Sequence, residues 1–265
     1  MEATTPAYPT RLSDAQWAIL AVYFAADSPL GRPRKTNLRA VVEAILYVLR
    51  AGCPWRMLPS DFPPWQTVYG YFRRWRDNGT WQRIHRYLRA LGTAYRKRPQ
   101  SPSVAIVDMQ SVPLGGLTHR ARGFDGGKRV RGRKRHVLVD SMGLLLAVVV
   151  TAANIADRQG LPPLLRRLQF RRGWFHRLRL IWGDRGYWGH LLFEWVLEQF
   201  NCMLEVLERP RGHGFRVVPR RWVVERTLAW ISQCRRLGQD YEKHPRTSET
   251  FIYLAMIQLM LKRLA

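Results

Sequence analysis

The sequence predicts an α/β fold, a mixed sheet flanked by helices and preceded by an all-helical segment. Three observations predict it. Apolar residues recur at helical spacing from Leu12 to about Arg96. A polar, proline-bearing stretch, Lys97 to Ser103 (KRPQSPS), then breaks the pattern. Beyond it, short runs rich in β-branched residues alternate with amphipathic segments. The expected organisation is a helical unit over 1–96, a linker over 97–103 and an α/β unit over 104–265. A chain of 265 residues, 46% of them hydrophobic, has enough core for one full domain and a small second one.

In the first part, Asp14 is expected to cap a helix from Ala15 to about Ala25, with Trp17, Leu20, Ala21 and Phe24 on one face. GRPRK (Gly31 to Lys35) makes a basic turn. A second helix runs from Leu38 to Ala51, with Val41, Ile45, Val48 and Leu49 inward, and Gly52 stops it. CPWRMLPSDFPPW, rich in proline and aromatics, reads as a compact turn. A third helix covers about Gln66 to Asp77. Its Val68, Phe72 and Trp75 pack inward while Arg73, Arg74 and Arg76 face out. A fourth covers Trp81 to about Tyr95. Two helices, a turn and a basic helix follow the order of a helix-turn-helix DNA reader; a small bundle with a solvated basic face is the rival reading.

In the second part, Val104 to Asp108 is a short strand. Gly115 to Gly132, glycine-rich and basic, reads as a flexible hairpin or loop. Arg135 to Asp140 and Leu144 to Thr151 are strands joined by a turn, so the three strands predict an antiparallel meander. Pro162 to Leu168 fits a helix, and Leu178 to Trp182 is a strand leading to Asp184. A helix over His190 to Phe200, a strand over Cys202 to Leu207, a long helix over Arg220 to Leu237 and a last helix over Glu249 to Leu264 complete the order. Three strands, then helix, strand, helix, strand and helix is the order of an RNase H-like α/β domain. No internal repeat is visible.

The 44 Lys and Arg against 19 Asp and Glu give a formal charge of +25 and point to a polyanionic partner. An acidic membrane surface is the weaker rival, because the most apolar run, Leu144 to Ala153, is too short to span a bilayer. Met1 to Thr10 lacks the features of a signal peptide. Cys53, Cys202 and Cys234 are far apart, form no CxxC pair and do not cluster with histidines, which argues against disulfides and zinc. The expected setting is a bacterial cytoplasm, with the protein on the nucleoid through DNA.

Against this basic background three carboxylates stand out: Asp108 after VAIV, Asp184 after LIWG, and Glu225 in a helix. In the predicted strand order the first two aspartates meet at one sheet edge. Gly186 lets the backbone turn sharply after Asp184. Hard divalent cations take such oxygen ligands, and two ions about 4 Å apart can activate an attacking oxygen and stabilise a leaving one. The rival readings are a turn cap for Asp108, a turn residue for Asp184 and a surface ion pair with Arg221 for Glu225. Asp140 belongs to a hairpin turn, and Asp157 caps the following helix.

The basic residues expected to hold phosphates are Lys128, Arg129, Arg131, Arg133, Lys134 and Arg135 in GGKRVRGRKRH, with a solvated hairpin as the rival reading. Arg220, Arg221 and Arg226, which flank Glu225, form a second such group. Tyr187 and Trp188 are placed to touch a splayed base. Trp222 and Trp230 read as core.

The same residues carry a family resemblance. The chain resembles bacterial insertion-sequence transposases of family five, within the DDE transposases with an RNase H-like core. The matching segments run in order from GRPRKTNLRAVVEAILYVLRAGCPWRMLPSDFPPWQTVYGYFRRWRDNGTW through VDMQSV, GKRVRGRKRHVLVDSMGLLLAVVVTAANIADRQG, GDRGYWG and PRRWVVERTLAWISQCRRLGQDYE to AMIQLMLKRL. The resemblance implies that Asp108, Asp184 and Glu225 are the catalytic, metal-holding triad, with two Mg²⁺ ions or Mn²⁺ in their place. Asp184, Gly186 and Tyr187 match the pattern around the second aspartate. Along the last catalytic helix, Arg221 and Glu225 match a Tyr-Arg-Glu-Lys series, while Val218 and Ser232 stand where the Tyr and Lys would be. Arg235 or Arg236 can take over from that Lys. Met109 stands where relatives often have Ser, and as a strand neighbour of Asp108 it should point to the opposite face.

The resemblance further implies cutting at terminal inverted repeats and joining of 3′-hydroxyl ends to target DNA, by a homodimer or larger assembly on DNA. A catalytically silent DNA-binding regulator and a structure-selective nuclease on the same fold are the alternatives.

Overall fold

The computed structural model describes residues 8–24, 35–116, 120–169, 175–207 and 221–264. Helix α1 (Asp14–Ala21) starts at Ser13 rather than at Asp14. The Ser13 hydroxyl accepts the Gln16 N–H at 3.1 Å, and the Gln16 side chain accepts the Ser13 N–H at 3.1 Å. This reciprocal box satisfies two free donors where an Asp14 cap would satisfy one. Asp14 instead pairs with Arg39 at 2.6 Å. Helix α2 (Leu38–Ala51) has the predicted bounds, capped by the Asn37 side chain and ended by Gly52 at φ 76°. A short 3₁₀ turn (Trp55–Met57) leads to α3 (Trp65–Asp77) and α4 (Thr80–Tyr95).

Among the described residues six strands form one sheet: β1 (Val104–Pro113), β2 (Gly123–Asp125), β3 (Val130–Asp140), β4 (Leu145–Ala152), β5 (Leu180–Gly183) and β6 (Met203–Val206). The order runs β4, β3, β1, β5, β6, with β2 also pairing the start of β3. Strands β1, β3 and β4 are antiparallel, and β5 and β6 run parallel to β1. This is the RNase H-like arrangement. Helices α5 (Asp157–Gln169) and α6 (His190–Phe200) connect the strands, and α7 (Trp222–Ser232), α8 (Arg235–Gly238) and α9 (Pro245–Leu264) follow them.

Several elements differ from expectation. β1 extends five residues past Asp108, because its register with β3 continues to Pro113↔Gly132. The glycine-rich stretch before Gly132 holds β2 and the start of β3, so it is not loop throughout. The long helix expected up to Leu237 breaks after Ser232, where Arg50 from α2 donates to the Gln233 carbonyl at 3.0 Å. That side chain satisfies a carbonyl that a continuing helix would have used.

Alternation along the strands makes two cores. Ala105, Val107, Leu138 and Ile181 pack with α5 and α6. Ile106, Val137, Val139 and Trp182 face α7 and α9, and this core continues without interruption into α2, α3 and α4. Phe72 of α3 stacks on Phe251 of α9 at 5.0 Å, and α4 lies along α9. The helical segment therefore rests on the same sheet face as α7. Among the described residues no helix is long and apolar enough to cross a membrane.

Candidate active site

The parallel pairing of β1 with β5 matches Val104 with Leu180, Ala105 with Ile181 and Ile106 with Trp182. Two residues further along, the same register brings Asp108 level with Asp184. β5 ends at Gly183, so beyond Ile106 the β5-side edge of β1 is open. Asp108 is thus not at the end of its strand but at the point where its neighbour stops. Crevices of this kind, beyond the carboxyl ends of parallel strands, are where α/β folds place ligands.

Asp108 is 9% exposed, and its Oδ1 accepts the Met109 N–H at 2.7 Å. Burial pushes its carboxyl up to about 6, and the charge of Asp184 adds to the rise, while that N–H, Arg221 and Lys128 oppose it. Met109 points to the opposite face as expected, with its sulfur 3.5 Å from Lys128 Nζ. Asp184 caps the turn Arg185–Tyr187, and its Oδ1 accepts the Gly186 N–H at 2.9 Å. Gly186 serves space rather than a sharp turn. A Cβ there would lie 2.7 Å from Asp157 Oδ2 and 3.0 Å from Asp184 Oδ1. Glycine is therefore what lets these two carboxylates approach.

Glu225 lies in the first turn of α7. This helix is strapped across β1 by Gln110 Nε2 donating to Ser232 Oγ at 3.2 Å, and to the β3–β4 turn by Thr227 Oγ1 donating to the Gly143 carbonyl at 2.8 Å. Arg221, 9% exposed, stands between the carboxylates: its Nη2 is 3.6 Å from Asp184 Oδ2 and 3.8 Å from Glu225 Oε1. The turn role of Asp184 and the ion pair of Glu225 thus coexist with their convergence. Among the described residues no three His, Cys, Asp or Glu side chains are close enough to hold a metal ion as they stand. The donor set itself, carboxylate oxygens from three elements, suits a hard divalent cation. The upward push on Asp108 comes first from burial and only secondarily from the charge of Asp184, and a bound cation would oppose both.

The basic residues divide. Arg73 and Arg74 are exposed on α3, over the rings of Tyr69 and Tyr71. Arg76 instead binds Asp77 at 2.9 Å and Thr247 Oγ1 at 3.0 Å, joining α3 to α9. Lys128, Arg129 and Arg131 are exposed on the β2–β3 hairpin. DNA contact does not hold for Arg133 and Arg135, both 0% exposed. Arg133 pairs with Asp240 at 3.1 Å and donates to the carbonyls of Arg120, Glu242 and Lys243; Arg135 donates to the Leu237 carbonyl at 2.6 Å. Lys134, 6% exposed, binds Asp157 at 2.8 Å. Arg236, 8% exposed, is held by Glu242 and the Cys53 carbonyl, so of the two proposed stand-ins for the missing Lys only Arg235 is exposed.

Tyr187 cannot touch a base: it is 0% exposed, packed between sheet and α5, whereas Trp188 beside it is 63% exposed. Arg226 lies between the rings of Trp222 and Trp230. Val218, Arg220 and Gly31 to Arg34 lie outside the described residues. Sequence reasoning took Lys134 for a phosphate contact and Asp157 for a helix cap, and missed the pairing of the two beside the site. Both come from elements whose pattern reads as ordinary cap and strand, and only the Gly186 contact brings Asp157 near Asp184.

Comparison with known proteins points to transposases. Residues 12–85 match the family model described as a transposase of the IS4/5 family, and residues 99–260 match the model of the transposase DDE domain. A Burkholderia cepacia protein, named as a transposase for insertion sequence element IS402, is 32% identical over 127 residues, 46% of this chain. The match spans 60% of that relative's length. Among solved structures, the Mos1 mariner paired-end complex with Mn is 13% identical, covering 94% of this chain and 83% of that one, with a TM-score of 0.32. A pre-cleavage Mos1 transpososome is 14% identical, covering 90% and 80%, with the same score of 0.32. Likeness at that score carries no weight for fold or function. The DDE-domain match extends over more than half of the sequence and includes all three carboxylates, so the chain belongs to the family of transposases with a DDE domain.

Proposed function

We propose that this chain is the transposase of an insertion sequence, which binds the element's terminal inverted repeats, cuts there, and joins the 3′-hydroxyl ends to target DNA. The observation that carries the reading is the level placement of Asp108 and Asp184 at the open edge of β1, with Glu225 linked to Asp184 through Arg221. The helical part, residues 12–95, would read the ends, with the exposed Arg73 and Arg74 of α3 toward DNA. The α/β part would carry the chemistry, and two ends need a dimer or larger assembly.

Divalent cations, two Mg²⁺ or Mn²⁺, would be held by Asp108, Asp184 and Glu225. When bound they supply activation of an attacking oxygen and charge stabilisation of the leaving one. The chain's own residues bind and orient. Strand β1 holds Asp108, the capped turn after β5 holds Asp184, and α7 brings Glu225 from the side. Arg221 offers a planar fork of donors that fits carboxylate and phosphate alike. It neutralises Asp184 and Glu225 and is available to a scissile phosphate once they turn to a cation. Lys128, Arg129 and Arg131 add charge for the flanking backbone.

The test is a strand-transfer assay with Mg²⁺ and linear DNA carrying the inverted repeats, run beside Glu225→Gln. Joining that vanishes in the variant supports the reading. Binding without cutting favours the silent regulator, and cutting without joining favours the nuclease.

A further inference from the structure

We propose that Arg96, Arg226 and Arg263 form a phosphate-binding clamp beside the catalytic helix, held in shape by Trp222 and Trp230. The inference rests on the transposase reading, because it assigns the clamp to the DNA backbone. Four elements meet here: the end of α4 (Arg96), the β3–β4 turn (Met142), α7 and the last turn of α9 (Arg263). Trp222, Arg226 and Trp230 recur every four residues along α7 and so share one face. The Arg226 guanidinium lies 4.5 Å from the Trp222 ring centre and 4.6 Å from that of Trp230, and Arg263 lies 4.3 Å from the Trp230 ring centre on the α9 side. Cation and ring alternate over four residues.

Stacking fixes the guanidinium planes and lowers the entropy cost of using them. The charges, however, are of one sign. Arg226 and Arg263 both feel the charge of Arg96, and Arg263 also that of Arg226. No salt bridge joins any of the three to a carboxylate among the described residues. One Arg226 N–H reaches the Met142 carbonyl at 2.9 Å, and its buried Nε has no acceptor among the described residues. The α9 dipole favours a cation at Arg263. It does not account for Arg226 in mid-α7 or for the convergence of Arg96. Three crowded, pre-oriented cations with donors to spare are matched by phosphate oxygens, which take planar, bidentate donation from arginine. A small cleft of about 70 Å³, lined by Tyr95, Arg96, Met142 and Arg263, opens between the ends of α4 and α9, and Arg226 reaches its rim through the Met142 carbonyl. Glu225 lies on the neighbouring face of the same helix turn, so the backbone held here would be a stretch to one side of the scissile phosphate.

The experiment measures binding of the full chain to a terminal-repeat duplex, and to an unrelated duplex of equal length, across a salt series. Wild type is compared with Arg96→Gln, Arg263→Gln, the double variant, and Arg166→Gln as an exposed control on α5, across the sheet from α7. Each clamp variant should weaken binding to both duplexes and make the log–log salt slope shallower by about 1, with the double variant shallower by about 2. Methylphosphonate substitution near the cleavage point should weaken wild type but no longer affect the double variant. Thermal midpoints should stay within a degree or two, since Arg96 and Arg263 are exposed. Slopes equal to wild type, or a loss matched by Arg166→Gln, would overturn the clamp while leaving the transposase reading intact. A wild-type chain that binds neither duplex would overturn both.

Discussion

The two halves of one basic run, GGKRVRGRKRH, meet opposite fates. Lys128, Arg129 and Arg131 stand in solvent, while Arg133, Lys134, Arg135 and His136 are buried. The boundary coincides with a pairing boundary. β4 covers β3 from Arg133↔Ala152 inward and β1 from Gly132↔Pro113, whereas Val130 and Arg131 pair with the short β2. Once β3 is central, both faces are covered. Arg133 and Arg135 meet the backbone around 237–243, whose carbonyls absorb their donors, and Lys134 and His136 face α5. A charge run therefore does not reveal whether it serves a ligand or the fold. The carbonyls and carboxylates that lie opposite it decide, and here they come from about 100 residues away.

This contrast can be broken most directly at Arg133. Arg133→Met leaves Asp240, whose side chain is also 0% exposed, as an unpaired buried charge. We expect a loss of about 3–5 kcal/mol in urea unfolding. A loss under about 1 kcal/mol would mean that Arg133 is not sealed and that the halves do not differ in kind.

The next largest effect is acid sensitivity at His136. Burial pulls its pKa down to about 4 from 6.5, with Lys134 lowering it further and Asp157 opposing. The folded state thus holds the neutral ring, and the unfolded chain takes the proton more readily. Its contribution is present above pH 6.5 and is lost as pH falls toward 4, by about 3 kcal/mol in total. In parallel unfolding curves, the stability gap between wild type and His136→Gln should narrow by that amount between pH 7 and pH 4. A gap independent of pH would show that the ring is solvated.

The smallest effects belong to the exposed tip. Arg129→Gln and Arg131→Gln should change stability by no more than about 0.5 kcal/mol. Each should make the salt slope of DNA binding shallower by about 1. Unfolding by the tip variants, or an unchanged slope in both, would reverse the assignment of the two halves.

What the sequence made legible follows the range of the forces involved. Helix α2 has its predicted bounds because Asn37 and Gly52 are local signals. The meeting of Asp108 and Asp184 was legible because strand order alone makes β1 and β5 neighbours. The break in α7 was not, since Arg50 from a distant helix supplies its end. The burial of Tyr187 was hidden for a related reason. Its neighbour Trp188 has the same aromatic character, and only the packing of α5 on the sheet separates the two. Gly186 read as a turn glycine, but its reason is the nearness of Asp157, which no local pattern carries.

The central claim, that Asp108 sits in a metal-dependent catalytic site and not in a structural cap, is tested most directly by Asp108→Asn. Binding and cleavage of terminal-repeat DNA should be measured on the same preparation in Mg²⁺ and in Mn²⁺. The account predicts end binding close to wild type with cleavage abolished in both metals. Cleavage at the wild-type rate would contradict it.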